Sequence, residues 1–285
     1  MANISKATLQ AYREQTFGLL PTLKLKHIED AATFVKKRGF VYFWPIKGIT
    51  LPSLWAGVAG DRPVADAHDD PGHVTWGWKD AALGKHIWYY GKILRKKATL
   101  IDLDVAPYFY ALSENYGDPE EDVLIAYQEG RLTLEAKFIF EVLTDNGPMD
   151  TIAIRRATHL TSKESNTRFE RALAQLQADF KILPVGISDA GSWRYAFIYD
   201  LVHRHYPELP ERAREISERE ARRKLVELYF LSIGAAQLRD LSKLFGWRVN
   251  EIEIVLYDLC KNGILVGNLE FEDQIGEWFC LRALV

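Results

Sequence analysis

The 285 residues predict an α+β chain, mainly helical, assembled from tandem copies of one small module. The leading observation is a repeated order. From about residue 130 to 200, and again from about 217 to 285, three stretches of helical periodicity give way to two short strand-like stretches around a polar turn. A second observation is length, which leaves room for two or three domains of about 100–150 residues. A third is composition: 48% hydrophobic and 26% charged residues suit a globular chain with a real core and exclude a disordered one. The expected boundaries are 1–120 for a decorated N-terminal domain, 121–212 for a middle module and 213–285 for a C-terminal module.

Taken in order, Ser5 is placed to cap a first helix to about Thr16, with Leu9 and Tyr12 inward. Ile28, Ala31, Ala32 and Val35 follow helical spacing, and Gly39 stops that second helix. A short strand is expected at Thr99-Leu100-Ile101, and Pro107 opens a helix carrying Tyr108, Phe109 and Leu112. Tyr116-Gly117-Asp118-Pro119 reads as a turn and a domain boundary. In the middle module Thr133 caps a helix whose Leu134, Phe138 and Val142 share a face. Asp150 starts another helix, and a third runs from about Asn166 to Ala178. Phe169, Leu173 and Leu176 point inward on it, while Arg168, Arg171 and Gln175 point outward. A strand from Phe180 to Val185 and a second carrying Trp193, Tyr195, Phe197 and Tyr199 at period two complete the unit.

The C-terminal module repeats the order. Helices bury Leu225, Leu228 and Tyr229, then Leu238, Leu241 and Leu244, then Ile252, Val255, Leu256 and Leu259. Strands over 264–269 and 278–284 follow. Three helices and a hairpin make a winged helix, a relative of the helix-turn-helix, which meets DNA with its third helix and its wing. Arg168, Arg171 and Gln175 suit phosphates and base edges. The corresponding helix of the last module carries Asn250, Glu251, Glu253 and Asp258, and its wing Glu270, Glu272, Asp273 and Glu277. Carboxylates repel phosphates, so packing or a protein partner is the expectation there.

Between residues 40 and 90 lie five of the eight tryptophans, Trp44, Trp55, Trp76, Trp78 and Trp88, among Gly and Pro. With Tyr42, the first four form a candidate pocket for stacking a base; a small aromatic core is the other reading of the same residues. Basic residues cluster at Lys92, Arg95, Lys96 and Lys97 and form a second candidate DNA contact, although the net charge is −3. No apolar run approaches the roughly 20 residues of a membrane helix, and residues 1–6 lack a secretory core. Cys260 and Cys280 both sit in apolar patterns, so neither a disulfide nor a cysteine metal site is indicated. A cytoplasmic protein without cofactor is expected.

Arg38-Gly39-Phe40-Val41 with Pro45-Ile46, Leu54-Trp55, Trp88-Tyr89-Tyr90 before a basic helix, and a Pro107-Tyr108-Phe109 turn form a further pattern. Together with the module order, it resembles the AlkZ/YcaQ-type bacterial DNA glycosylases, which excise alkylated or crosslinked purines. The resemblance implies three winged helices around a cleft for duplex DNA. It also implies a Gln–apolar–Asp or Gln tripeptide before the proline, placing water at the sugar. Here that tripeptide is Tyr42-Phe43-Trp44, so neither motif residue is kept. A carboxylate or amide polarises water against an oxocarbenium-like sugar, whereas an indole does not. Asp61, Asp66, Asp69, Asp70 and Asp80, with His68 or His73, are candidate substitutes, and Asp69 and Asp70 are chosen, with Tyr42 as a further candidate. Against them, Asp-Asp-Pro-Gly is a common turn sequence, and a metal held by His68, Asp69, Asp70 and His73 matches no known ligand spacing. The expected activity is recognition or excision of a modified base. The alternatives are a non-catalytic nucleic-acid binder or a protein-interaction scaffold.

Overall fold

The computed structural model describes residues 3–191, 194–271 and 274–285. Its first part contains β1 (Asn3–Ile4), α1 (Lys6–Thr16), α2 (Ile28–Arg38), β2 (Phe40–Tyr42), α3 (Leu54–Ala59), α4 (Val74–Ala82), β3 (Tyr89–Lys92), β4 (Ala98–Ile101) and α5 (Ala106–Tyr110). Local chemistry sets the helix ends. The Ser5 hydroxyl accepts from the Thr8 amide, and Gly39 closes α2 at φ 80°. β2, β4 and β3 form one antiparallel sheet in that order.

The region between Phe40 and Tyr90 is more regular than its Gly and Pro content implies. Ser53 caps α3 through the Ala56 amide. Asp70 caps a short 3-10 turn over Pro71–His73 that leads into α4.

The middle stretch holds α6 (Pro119–Gln128), α7 (Leu134–Asn146), β5 (Met149–Asp150), α8 (Thr151–Ala157), α9 (Asn166–Ala178), β6 (Ile182–Ser188) and β7 (Ala196–Leu201). Its sheet runs β5-β7-β6, all antiparallel. Trp193 lies outside the described residues. α7 turns differently from expectation: Ala136, Ile139, Phe140 and Leu143 are buried, and Leu134 and Phe138 face outward. α9 follows expectation, with Phe169, Leu173 and Leu176 inside. This stretch has an apolar core of its own around Phe140, Phe169 and Leu176.

α10 (Val202–His205) and α11 (Leu209–Arg214) lead to α12 (Glu218–Ile233), β8 (Ala235–Ala236), α13 (Leu238–Phe245), α14 (Val249–Lys261), β9 (Leu265–Phe271) and β10 (Gln274–Leu281). The N-terminus returns here: β1 pairs parallel to β9, in a sheet ordered β1-β9-β10-β8. The chain is therefore mainly helical α+β, with small sheets. Its largest core draws on every part, from Phe40 and Tyr89 through Phe180 and Leu183 to Phe230 and Leu256. Among the described residues no helix is long and apolar enough to cross a membrane.

Candidate functional site

Alternation along β2 sends Phe40 and Tyr42 to one side and Val41 to the other. Tyr42 is fully buried in the shared core. Its hydroxyl has no hydrogen-bond partner among the described residues, and burial pushes its pKa up to about 12 against the pull of Arg95. Trp44, just past the strand, is half-buried, with its indole N–H also buried and unpartnered.

The Trp44 ring leans on Trp76 at 5.6 Å between centroids, and both rings meet Phe43. Trp76 lies on α4 and remains 39% exposed. One helical turn later Lys79 is only 2% exposed, an unusual place for an ammonium group. Its Nζ lies 4.7 Å from the Trp76 ring centroid and 4.5 Å from that of Phe197, with Tyr90, Tyr195 and Phe43 further out. Such aromatic faces stabilise a cation.

The charge is also paired. Lys79 Nζ donates to the Tyr195 oxygen at 2.8 Å and lies 2.9 Å from Asp80 Oδ1. The Tyr195 hydroxyl donates to the same Asp80 oxygen at 2.9 Å, and the Trp76 indole N–H donates to Tyr195 at 3.3 Å. Burial lowers the Lys79 pKa against the opposing pull of Asp80, and burial raises that of Tyr195. Trp76, Lys79 and Asp80 stand at i, i+3 and i+4 on one helix, so they share a face. Tyr195 reaches them from beside β7.

The structure thus joins Trp44 and Trp76 but sets other sequence candidates apart. Trp55 is fully buried, its N–H donating to the Arg62 carbonyl. Trp78 is half-buried in the apolar cluster that also holds Phe43, Trp44 and Trp88. Asp70 accepts from the Gly72 amide at 2.7 Å and pairs with Arg62 at 2.6 Å, which holds its carboxyl below the usual range. Those are the bonds of a turn. Asp61, Asp66, Asp69 and His68 are exposed, while His73 bonds the Ala65 carbonyl through Nε2 at 2.9 Å. Among the acids considered from sequence, Asp80 is the one wired into the aromatic cluster. Lys79 and Tyr195 were not candidates; recognising α4 as a helix would have put Lys79 beside Trp76.

On α9, Arg171 is exposed, Arg168 pairs with Glu135 at 2.9 Å, and Gln175 donates to the Arg131 carbonyl at 2.7 Å. Nearby, Lys92 lies 3.7 Å from Glu170, and Arg95, Lys96 and Lys97 are exposed. Arg95 and Lys96 both adopt left-handed backbone, at φ 55° and 54°. This is a tight turn rather than a basic helix. In the last module, Asp258 holds Arg219 through two 2.8 Å bonds, and Glu251 pairs with Arg222. Only part of the acid on α14 therefore faces outward; Glu253 is exposed beside Val249, Ile254 and Tyr257. Glu270 and Glu277 are exposed, and Glu272 and Asp273 lie outside the described residues.

This arrangement of helices and small sheets recurs in a solved structure. The chain resembles the structure of Streptomyces sahachiroi DNA glycosylase AlkZ with a TM-score of 0.60 over 99% of this chain and 71% of that one. The identity is 14%, so the likeness is one of fold. The AlkZ-related family model matches residues 25–246, and the chain belongs to that family. No curated protein matches it.

Proposed function

We propose that this protein binds duplex DNA and recognises a modified base, with slow or no excision of ordinary alkylpurines. Membership of the AlkZ-related family and the glycosylase fold support the DNA-directed role. The observation that carries the limit on chemistry is at positions 42 and 44. Where the resembling enzymes place water, this chain has a phenol sealed in the core and an indole packed on Trp76. Loss of one positioned acid–base group typically slows a reaction by about 10²–10⁴.

In this reading three winged-helix units surround the duplex, with α9 and the turn at 94–97 supplying cations to phosphates. Trp44 and Trp76 offer ring surface to the duplex. The last unit stands apart: its exposed Val249, Ile254 and Tyr257, beside Glu253, suit contact with protein better than with phosphate. If any hydrolysis persists, Asp80 is the carboxylate to supply it, since Asp70 is committed to its turn.

The test is release of 7-methylguanine from methylated duplex. The native chain should release little above the spontaneous rate, and Asp80→Asn should abolish what remains. Rapid release by the native chain, with Asp69→Asn and Asp80→Asn both fully active, would overturn this reading of the chemistry.

A further inference from the structure

A cavity of about 300 Å³ opens where the three sequence regions meet, at the lower end of the roughly 300–1,000 Å³ of small-molecule sites. Each region contributes a wall. The N-terminal part gives Leu94, Arg95 and Phe109, the middle part Asp179 and Phe180, and the last part Phe245 and Trp247. Phe245 and Trp247 stack on one another at 4.2 Å and 11° between planes, making a rigid aromatic edge. They flank Gly246, which ends α13 in left-handed conformation, and the Arg95 guanidinium lies over this turn. An aromatic edge, an acid and a guanidinium around one small cavity form a recognition set for a heteroaromatic ring on a phosphate backbone.

Asp179 sharpens that assignment. It follows the last turn of α9, and its backbone carbonyl is pinned by the Asn115 amide at 3.0 Å. No hydrogen-bond or ion-pair partner among the described residues takes its carboxylate. Burial raises its pKa although Lys96, Lys181 and Arg131 pull the other way. The second acid at the cavity, Glu114, is paired with Arg131. Asp179 is thus the acceptor left for a ligand. Consecutive left-handed residues at Arg95 and Lys96 add strain of the kind that persists at ligand clamps.

We propose that this junction cavity receives one purine base drawn out of a duplex, with its ring against the Phe245–Trp247 edge and its donor edge at Asp179. Arg95 and Lys96 then meet the phosphate beside it. The inference rests on the DNA-binding reading above and places the base at the junction, away from the Trp44–Trp76 surface.

Two probes separate the inference from that reading. The first is a duplex carrying a single 7-methylguanine, compared with the same duplex unmodified. The second is free 7-methylguanosine, followed by ligand-observed NMR. The native chain should prefer the modified duplex, and Asp179→Asn and Trp247→Ala should each reduce that preference about tenfold. Their affinity for unmodified duplex should stay as in the native chain, which also shows that the variants fold. Preference retained in both variants, or lost only in Trp44→Ala, overturns the cavity assignment. Nucleoside binding that depends on Asp179, without any duplex binding, keeps the cavity and overturns the DNA reading. Absence of both nucleoside binding and preference for the modified duplex, with unmodified duplex still bound, overturns the cavity and leaves the DNA reading standing.

Discussion

Tyr42 and Lys79 invert the usual rules of burial, one hiding a hydroxyl without a partner and the other a cation. Lys79 is tolerated because Asp80, Tyr195 and the surrounding rings replace its water. Lys79→Ala leaves the Asp80 carboxylate without its counter-ion, so we expect about 3–5 kcal/mol of lost stability by urea unfolding. Lys79→Met, which keeps the stem, should cost less. Lys181 supplies a pH test. It is 4% exposed, donates to the Glu114 carbonyl at 2.8 Å, and burial lowers its pKa from 10.5 to about 8. Between those values the unfolded chain holds the proton that the folded chain has released, so stability rises with pH. From pH 8 to 9.5 the gain should approach about 2 kcal/mol, and Lys181→Met should abolish it. An identical pH profile for the two proteins would show that Lys181 keeps an ordinary pKa.

Helices with a clear cap and a full apolar stripe were legible from sequence. α1, α2 and α9 fall within a residue or two of their expected limits. α3 and α4 were not, because six and nine residues are too few for periodicity to show above interleaved Gly and Trp. α6 was missed because Gly117-Asp118-Pro119 was read as a turn, although Asp118, Pro119 and the acids after them also mark a helix start, and the outward Leu134 and Phe138 mimic the buried face of α7. The same limit explains the site. Asp69-Asp70 stand out as adjacent letters, whereas Lys79 and Asp80 matter only once Tyr195 arrives from more than a hundred residues away. On α9 the two arginines differ. Arg168 is held by Glu135 and Arg171 is not, so Arg171→Ala should weaken duplex binding more than Arg168→Ala. Equal or reversed losses in a titration at fixed salt would show that the outward face of α9 is misassigned.

Across the whole molecule, residues from all three sequence regions close one core, so these regions cannot unfold wholly independently. The middle stretch has a second core of its own besides its share of this one. This long-range closure was invisible in the sequence, as was the parallel pairing of Asn3–Ile4 with β9. Gly39 is one point of close approach in the assembly. Its φ is 80°, and a Cβ there would lie 2.8 Å from Leu228 Cδ1 on α12. Gly39→Ala should therefore cost about 1–3 kcal/mol and loosen the N-terminal part from α12. Unchanged denaturant midpoints would contradict the close approach.

Affinity for duplex DNA measured against salt tests the proposal that cations on α9 and the 94–97 turn grip the phosphate backbone. Between 50 and 200 mM salt, log affinity for a short duplex should fall linearly with log salt, by about 0.9 per phosphate contact. Removing Arg168 and Arg171 together should flatten that slope by about 2. A chain that fails to bind duplex at 50 mM salt, or whose slope is the same with and without these arginines, would contradict it.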